Sequence, residues 1–263
     1  MKRNNVSRFL VSAKTCLLAC SLLATLSCKK DQEAVAPQAE KTPASTETLL
    51  QYLESTGFSR NNIILKDGQF IIEDDIVIDR EEVEKYAAKG LPSSPGGRVD
   101  HYRGYYIVSN AYVTNIKFYI ESTVPSAWKT AIRGAISQWN AVNGTKLYLS
   151  ETTSSTTANT RINTGYDAAN WVARAYLPSS SGRPGYLMTI NTKYNSLDSG
   201  RKLFTIVHEM GHIFGLYHTD QTQGVFIQGT PTSDPNSVMN SYVLPWNGFT
   251  SGDLRAVQII YPQ

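Results

Sequence analysis

The sequence predicts an α+β fold for its larger, C-terminal part, because that part holds both strand-like and helix-like segments. Runs rich in Val, Ile and Tyr, or with alternating apolar and polar residues, are typical of strands. Three other segments carry apolar residues at helical spacing. The predicted strands are 105–109, 116–120, 146–150, 161–164, 172–176 and 186–191, and the predicted helices are 126–142, 200–214 and 252–260.

Each predicted helix has a recognisable start or end. Pro125 stands at the start of the first helix and Gly144 follows its end, as proline and glycine commonly do. The second helix ends at Gly215, because glycine can adopt the positive φ that lets a helix stop. Thr250 precedes Asp253 by the spacing of a capping box, which marks the start of the third helix.

Residues 1–27 are typical of a secretory signal. They have a basic start, an apolar run up to Leu26 and a small residue before Cys28, and the run is too short for a spanning helix. This segment holds four of the 25 basic residues and none of the 22 acidic ones, which leaves 21 against 22, a net charge of −1. The formal charge of +3 therefore comes entirely from the signal, and nothing in the remaining chain indicates nucleic-acid binding.

The three cysteines, Cys16, Cys20 and Cys28, all lie in this N-terminal region, so no disulfide is expected in the folded part. Cys28 resembles the acylated cysteine of bacterial lipoproteins. That resemblance implies a lipoprotein at the bacterial outer membrane or cell surface, with residues 28–48 as a flexible polar tether. The alternative is cleavage near Ser27, which would release a soluble protein.

Two further regions follow the tether. Residues 49–97 are predicted to form a small N-terminal segment, and residues 98–263 the main domain. Proline and glycine concentrate at 90–97, where we predict the boundary between them. The predicted elements of the small segment are a helix at 48–55, a strand at 70–78 and a charged helix at 80–88.

The stretch His208-Glu209-Met210-Gly211-His212-Ile213-Phe214-Gly215-Leu216-Tyr217-His218 carries the clearest chemistry. On a helix, His208 and His212 share one face, so both imidazoles can reach one ion. Glu209 is rotated by about 100° from His208, where it can contact a metal-bound water without ligating the metal. The turn at Gly215 would bring His218 back as a third imidazole. Three nitrogen ligands with one open position are typical of a catalytic zinc rather than a structural one.

Other interpretations of these residues are weaker. A His-Glu-x-x-His pair alone is only moderately specific, but this stretch contains three of the four histidines of the chain. The alternative is a set of hydrogen-bonded core histidines or a surface pair on a helix. His101, the fourth histidine, is expected at the surface.

The eleven-residue motif resembles that of the metzincin zinc peptidases, and Ser237-Val238-Met239-Asn240 resembles their Met-turn, a methionine loop beneath the zinc. More narrowly, the last third of the chain is similar to the dual-action HEIGH metallopeptidases of secreted bacterial proteins. The similar stretches are 212–220, 229–231, 234–240, 246–249 and 253–262. The resemblance implies a zincin-like fold with a twisted mixed sheet, a backing helix, an active-site helix, a Met-turn and a C-terminal helix.

The same resemblance implies a secreted zinc endopeptidase that acts on protein or peptide substrates. One catalytic zinc would be held by His208, His212 and His218, with Glu209 as the general base, and no calcium site is evident. We expect a monomer. The substrate edge strand would consist of Val172, Ala173, Arg174, Ala175 and Tyr176, to which an extended peptide can pair.

A binding or adhesion protein, anchored at the surface and built on an inactive metzincin scaffold, is the alternative function. Glu209 argues against it, because an inactive site commonly loses the base first. Two nearby positions depart from astacin-like relatives. Tyr242 stands three rather than two residues after Met239, which favours core or loop packing over a role at the zinc. Asp220 follows the third histidine at a distance that favours a turn residue over a partner of the ligands.

The stretch Ile72-Glu73-Asp74-Asp75-Ile76 resembles the aspartate-switch motif of astacin prosegments, with Asp74 where that motif has glycine. This resemblance implies that residues 49–97 are a prosegment and that cleavage in 90–97 frees the enzyme. Asp75 would then reach the zinc in place of the catalytic water, since a carboxylate is a competent zinc ligand. The alternative is that Asp74 and Asp75 form a turn or the solvated end of a strand.

Lipid anchoring can be tested at Cys28. We expect Cys28→Ala to move the protein from the membrane fraction to the soluble fraction and to abolish incorporation of a labelled fatty acid, because several acyl chains on one cysteine anchor stably. Cys20→Ala is the matched control and should stay membrane-bound. A Cys28→Ala protein that is as membrane-bound as the wild type would refute acylation at this residue.

Overall fold

An eight-stranded mixed sheet forms the centre of the fold in the computed structural model, which describes residues 43–90 and 101–263. These residues lie within one unit, Thr42–Gln263. The predicted signal, Cys28 and most of the tether lie outside the described residues, as does most of the predicted boundary at 90–97. Among the described helices, none is long and apolar enough to cross a membrane.

The described part of the chain contains five α-helices and ten strands. The helices are α1 (Thr46–Ser55), α2 (Arg80–Lys89), α3 (Ser126–Asn140), α4 (Ser199–Phe214) and α5 (Ser251–Ile260). The strands are β1 (Ile63–Lys66), β2 (Gln69–Ile72), β3 (Ile76–Asp79), β4 (Tyr102–Arg103), β5 (Ile116–Ile120), β6 (Leu149–Thr152), β7 (Thr160–Gly165), β8 (Ala173–Tyr176), β9 (Leu187–Asn191) and β10 (Val225–Phe226).

The large sheet has the strand order β1-β2-β3-β8-β9-β7-β5-β6. β5, β6, β7 and β9 run parallel, whereas β8 is antiparallel to β9. β1, β2 and β3 form an antiparallel unit, and β3 joins β8 in parallel. β4 and β10 pair separately. The predicted α+β fold with a mixed sheet is therefore confirmed.

Helices α3 and α4 pack against each other, and α4 also lies against β8. Trp139 of α3 is fully buried, packs edge-on against Phe214 of α4, and donates its indole N–H to Val207 O at 3.2 Å. Burying a large aromatic side chain stabilises a fold by about 25 cal/mol for each Å² of apolar surface removed from water. This contact fixes the position of α4, the helix that carries the histidine motif.

Helix α5 begins with the predicted capping box. Thr250 Oγ accepts a hydrogen bond from Asp253 N–H, and the Asp253 carboxylate accepts one from Thr250 N–H. Two donors of the first turn are thereby satisfied, so the prediction of this helix start is confirmed.

The predicted strand at 105–109 is wrong. The backbone N–H groups of this segment donate hydrogen bonds to separate parts of the chain instead of to one neighbouring strand. Val108 N–H donates to the Tyr261 hydroxyl at 2.9 Å, and Ser109 N–H donates to Gly182 O at 2.9 Å. The apolar side chains of this segment, such as Ile107 and Val108, pack on the core.

The N-terminal segment joins the same sheet and forms a second core cluster with three residues of the main domain. The members of this cluster are Leu49, Leu53, Phe58, Phe70, Ile72, Ile76, Ile78, Val83 and Tyr86, together with Tyr102, Leu177 and Tyr217. Helix α1 begins at Thr46, inside the predicted tether, because the Ser45 side chain accepts from Thr48 N–H and caps it.

Candidate metal centre

The end of α4 determines where the third histidine lies. Gly215 has φ +97°, in the left-handed region that favours glycine, and its N–H donates to His212 O at 2.9 Å. Leu216 N–H donates to Gly211 O at 2.9 Å. These bonds satisfy the last carbonyls of the helix, and the chain turns so that His218 lies beside the helix.

The three motif histidines are buried and meet at one point. His208 Nε2 and His212 Nε2 are 3.0 Å apart. The ring centroid of His218 lies 5.2 Å from that of His208 and 4.9 Å from that of His212. The structure therefore brings together the three residues that the sequence predicts as ligands.

The other ring nitrogen of two of these histidines is held by the backbone. His208 Nδ1 donates to Val238 O at 2.7 Å, and His212 Nδ1 donates to Leu216 O at 2.8 Å. Since a carbonyl oxygen can only accept, Nδ1 carries the hydrogen and Nε2 presents its lone pair. Converging lone pairs repel each other unless a cation lies between them, so this donor set fits zinc, which takes imidazole nitrogens.

Two carboxylates of the N-terminal segment reach the same histidines. Asp75 Oδ2 lies 3.1 Å from His218 Nε2, 3.4 Å from His208 Nε2 and 4.0 Å from His212 Nε2. His218 Nδ1 donates to Glu73 Oε2 at 2.7 Å. Asp75 Oδ1 is buried and has no hydrogen-bond partner within the described chain. Asp75 thus covers the side of the site that the histidines leave open.

Burial and charge shift the pKa values of this cluster in different directions. Burial alone would lower the pKa of His218, but Asp75 and Glu73 outweigh it and raise that pKa to about 10. Burial, followed by the charge of His208, lowers the pKa of His212 well below its ordinary value. Burial acts to raise the pKa of Asp75, yet the histidines lower it overall. The two carboxylates therefore favour a positive charge on His218, whereas burial keeps His212 neutral.

Glu209 faces the cleft beside the histidines. It is buried, and its Oε2 has no hydrogen-bond partner among the residues described. It lines a cleft of about 150 Å³ together with His208, Asp75 and residues 240–243. Burial, and next the charge of Asp75, raise the pKa of Glu209 well above its usual range. A carboxyl group in such a cleft can accept and return a proton.

The predicted edge strand is not an edge in this structure, and Val172 lies outside it. β8 covers Ala173–Tyr176, and β3 occupies the side that was expected to be open. Ala175 N–H donates to Asp75 O at 2.9 Å. The prediction is wrong for the chain as it stands because the small N-terminal segment adds its own strand to the sheet.

Met239 lies directly beneath the motif helix. It is buried, its carbonyl accepts from Thr219 N–H at 2.9 Å, and a Cβ at Gly211 would clash with its sulfur. A side chain at position 211 would therefore displace the sulfur of Met239 from its place against α4.

Two residues for which the sequence allows two interpretations, Tyr242 and Asp220, lie in the loop system around the cleft. Tyr242 does not pack in a core, since it is 70% exposed at the cleft mouth. Asp220 lies in a bend, and its carboxylate accepts from Ser241 N–H at 3.2 Å and from Ser241 Oγ at 2.5 Å. Asp220 thereby holds the loop that presents Tyr242.

His101 is buried, at 1% exposure, and the prediction of a surface position is wrong. Its Nε2 lies 3.3 Å from Asp253 Oδ1 and 3.5 Å from Asp234 Oδ2. Asp253 also accepts from Ser237 Oγ at 2.6 Å and from Val238 N–H at 3.1 Å. These groups connect the start of the main domain to the methionine loop. The sequence offers one signal for this long-range contact, which is the capping-box residue Asp253.

The cluster of His101, Asp234 and Asp253 is a hydrogen-bond network rather than a second metal site. The Asp253 carboxylate faces four donors, from His101, Ser237, Val238 and Thr250. Four donors occupy all of the roughly four lone-pair sites that a carboxylate offers, so both oxygens already have their partners. The network fixes Val238, whose carbonyl in turn orients His208.

Comparison with models of protein families matches residues 71–224 to the family described as dual-action HEIGH metallo-peptidase. Among solved structures, the chain is similar to high choriolytic enzyme 1, a hatching-enzyme zinc protease from Oryzias latipes (Medaka fish). The two sequences are 16% identical, the match covers 60% of this chain and 94% of that chain, and the TM-score is 0.40. Two structures of myroilysin are also similar, with 12% and 14% identity, 66% of this chain and 98% of that chain covered, and TM-scores of 0.41 and 0.40. No curated protein matches the sequence.

The network under the methionine loop predicts a pH-dependent loss of stability in Asp253→Asn. At pH 7 we expect the free energy of unfolding to fall by about 2–3 kcal/mol, because an amide cannot accept all four hydrogen bonds. Burial opposes ionisation, but the donors hold the pKa of Asp253 below its ordinary value. Its contribution is therefore present above the unfolded pKa of about 4 and is lost as the pH falls through the folded pKa.

Urea unfolding at pH 7 and pH 3 measures this difference between wild type and variant. Asp67→Asn, which removes an exposed carboxylate in the β1–β2 turn, is the control and should leave stability unchanged at both values. An Asp253→Asn defect of equal size at pH 7 and pH 3 would contradict the role assigned to the carboxylate.

Proposed function

The chain belongs to the dual-action HEIGH metallo-peptidase family, and from that premise we propose that it is an exported zinc endopeptidase held latent by its own N-terminal segment. Membership of the family makes it a zinc metallopeptidase whose substrates are proteins or peptides. The observation that carries the finer proposal is the convergence of three imidazole Nε2 atoms on a point that Asp75 covers.

His208, His212 and His218 would hold the zinc ion. When bound, zinc supplies Lewis acidity for the substrate carbonyl and for the developing oxyanion. The carbonyls of Val238 and Leu216 keep hydrogen on the Nδ1 atoms of the first two ligands. Their Nε2 lone pairs are thus directed inward before the metal arrives, which lowers the cost of assembling the site.

Glu209 is the general base of the proposed reaction. Its carboxylate takes a proton from the attacking water, holds it at Oε, and returns it to the nitrogen of the leaving amine. The buried position of Glu209 and its raised pKa support this role, because both increase the affinity of the carboxylate for a proton.

Substrate would bind along β8 after β3 has left it. The backbone groups of β8 that β3 uses, such as Ala175 N–H, become available to an extended peptide. An added strand gains main-chain hydrogen bonds and places alternate side chains in the cleft. Val172 lines that cleft, and the guanidinium of Arg174 lies over the ring of Trp171, another residue of the lining. Both side chains would contact the substrate.

Latency is the second part of the proposal. The prosegment would be residues 49–97, with cleavage at 90–97. Asp75 stands 3.1 Å from His218 Nε2, in a place that excludes a catalytic water, while β3 covers the substrate strand. Asp74 has φ +70°, a left-handed conformation that aspartate tolerates better than most residues. This conformation accounts for aspartate at a position where the related motif has glycine.

We also propose that the enzyme acts outside the cytoplasm, anchored through Cys28 to a bacterial outer membrane. The resemblance of the first 28 residues to a lipoprotein signal supports this location. The N-terminal residues would then tether the peptidase at the membrane.

The role of Glu209 can be tested with Glu209→Gln in the processed enzyme. We expect kcat/KM on a quenched casein substrate to fall by about 10²- to 10⁴-fold, while bound zinc and the melting temperature stay the same. His218→Ala is the contrasting variant, and it should lose both zinc and activity because two imidazoles leave half of the coordination sphere to water. Near-normal cleavage by Glu209→Gln, or cleavage that persists in a chelator, would contradict the mechanism.

The latch can be tested with Asp75→Ala in the unprocessed chain. We expect peptidase activity before any cleavage, at about tenfold or more above the unprocessed wild type, since even 1.4 kcal/mol of lost inhibition gives a factor of ten. Asp74→Asn removes an exposed carboxylate from the same turn, one that does not belong to the group of side chains meeting at the histidines, and it should stay latent. If Asp75→Ala is as silent as the wild type, or if the unprocessed wild type is already fully active, Asp75 is not the latch.

A further inference from the structure

We propose that Glu73 is a positioning residue for the third zinc ligand, so that the N-terminal segment helps to assemble the metal site as well as to cover it. This inference rests on the proposed function, because it assumes that His218 binds zinc. It adds a second task to the segment, which is to hold the imidazole of His218 in the tautomer and orientation that the metal requires.

The three ligands differ in the origin of their supporting acceptor. His208 and His212 donate to backbone carbonyls of the main domain, at Val238 and Leu216. His218 donates instead to a side chain of the N-terminal segment, Glu73, at 2.7 Å. Two supports thus remain when the segment leaves, and the third is removed with it.

Contacts of both its side chain and its backbone fix the position of Glu73. Its side chain is 7% exposed, and the same Oε2 that accepts from His218 accepts from Gln223 Nε2 at 3.1 Å. Its backbone N–H donates to Asn62 O at 2.9 Å. Glu73 also has φ +52°, a left-handed conformation that is unfavourable for glutamate. Surrounding contacts must maintain such a conformation, and strain of this kind concentrates at functional sites.

A carboxylate that accepts from the outer nitrogen of a ligating histidine fixes the ring and strengthens the ligand. Removing such a partner typically lowers metal affinity by about 10- to 100-fold. The segment therefore favours metal binding before processing. A chain cleaved without metal would have to bind zinc with His218 less well oriented, and therefore more weakly.

Equilibrium zinc affinity of the full chain, measured by competition with a chromophoric chelator, tests the role of Glu73. We expect Glu73→Ala to weaken zinc binding by about 10- to 100-fold. Glu73→Gln should recover much of the loss, because its amide oxygen can still accept from His218 Nδ1. Asp74→Asn loses the same charge from the neighbouring exposed position and should bind zinc like the wild type.

Loss of Glu73 could also act indirectly, by displacing Asp75 from the metal. The Asp75→Ala chain separates the two effects, since the direct carboxylate contact is already gone. We expect Glu73→Ala to weaken zinc binding again in that background, by a similar factor. No further loss in the double variant would overturn the positioning role, and so would a Glu73→Ala chain that binds zinc within about twofold of the wild type.

The same titration distinguishes this inference from the proposed function. If the wild-type chain does not bind zinc, or if His218→Ala leaves its affinity unchanged, the zinc site itself fails. If wild-type binding depends on His218 but not on Glu73, only the positioning role fails. Circular dichroism of the metal-free variants checks folding, and Glu73→Gln provides the comparison if Glu73→Ala does not fold.

Discussion

The convergence of three imidazole nitrogens on one point is the constraint on which the rest of the site depends. The Nε2 atoms of His208 and His212 are held 3.0 Å apart because the Nδ1 atoms of both rings donate to fixed backbone acceptors. One acceptor, Val238 O, belongs to the methionine loop, and that loop is held by the Asp253 carboxylate and His101. The geometry of His208 therefore depends on contacts with both ends of the main domain.

The N-terminal segment occupies the metal position and the substrate strand that catalysis needs. Asp75 occupies the open side of the histidine cluster, and β3 bonds to β8, the strand to which a substrate would add. Inhibition and substrate binding thus compete for the same backbone groups and the same metal position. The segment is held by a shared apolar cluster that includes Phe70, Leu177 and Tyr217, and these contacts must separate after cleavage for the segment to leave.

Local patterns were sufficient to predict much of the site and the helices. The spacing of the motif histidines on α4, the turn at Gly215 and the capping box of α5 all depend on residues within a few positions of each other. Long-range contacts were not predictable in this way. The pairing of β3 with β8 joins residues about a hundred positions apart, and His101 is buried by Asp253, more than a hundred and fifty positions away. The segment 105–109 has strand-like composition but no neighbouring strand.

A crystal structure of the unprocessed, zinc-loaded chain, with the metal located by its anomalous signal, tests the central claim most directly. We expect one zinc ion within about 2.0–2.2 Å of the Nε2 atoms of His208, His212 and His218 and of a carboxylate oxygen of Asp75. A zinc ion bound elsewhere would contradict the assignment of the site. A water at the fourth position, with Asp75 turned away from the metal, would contradict the latch.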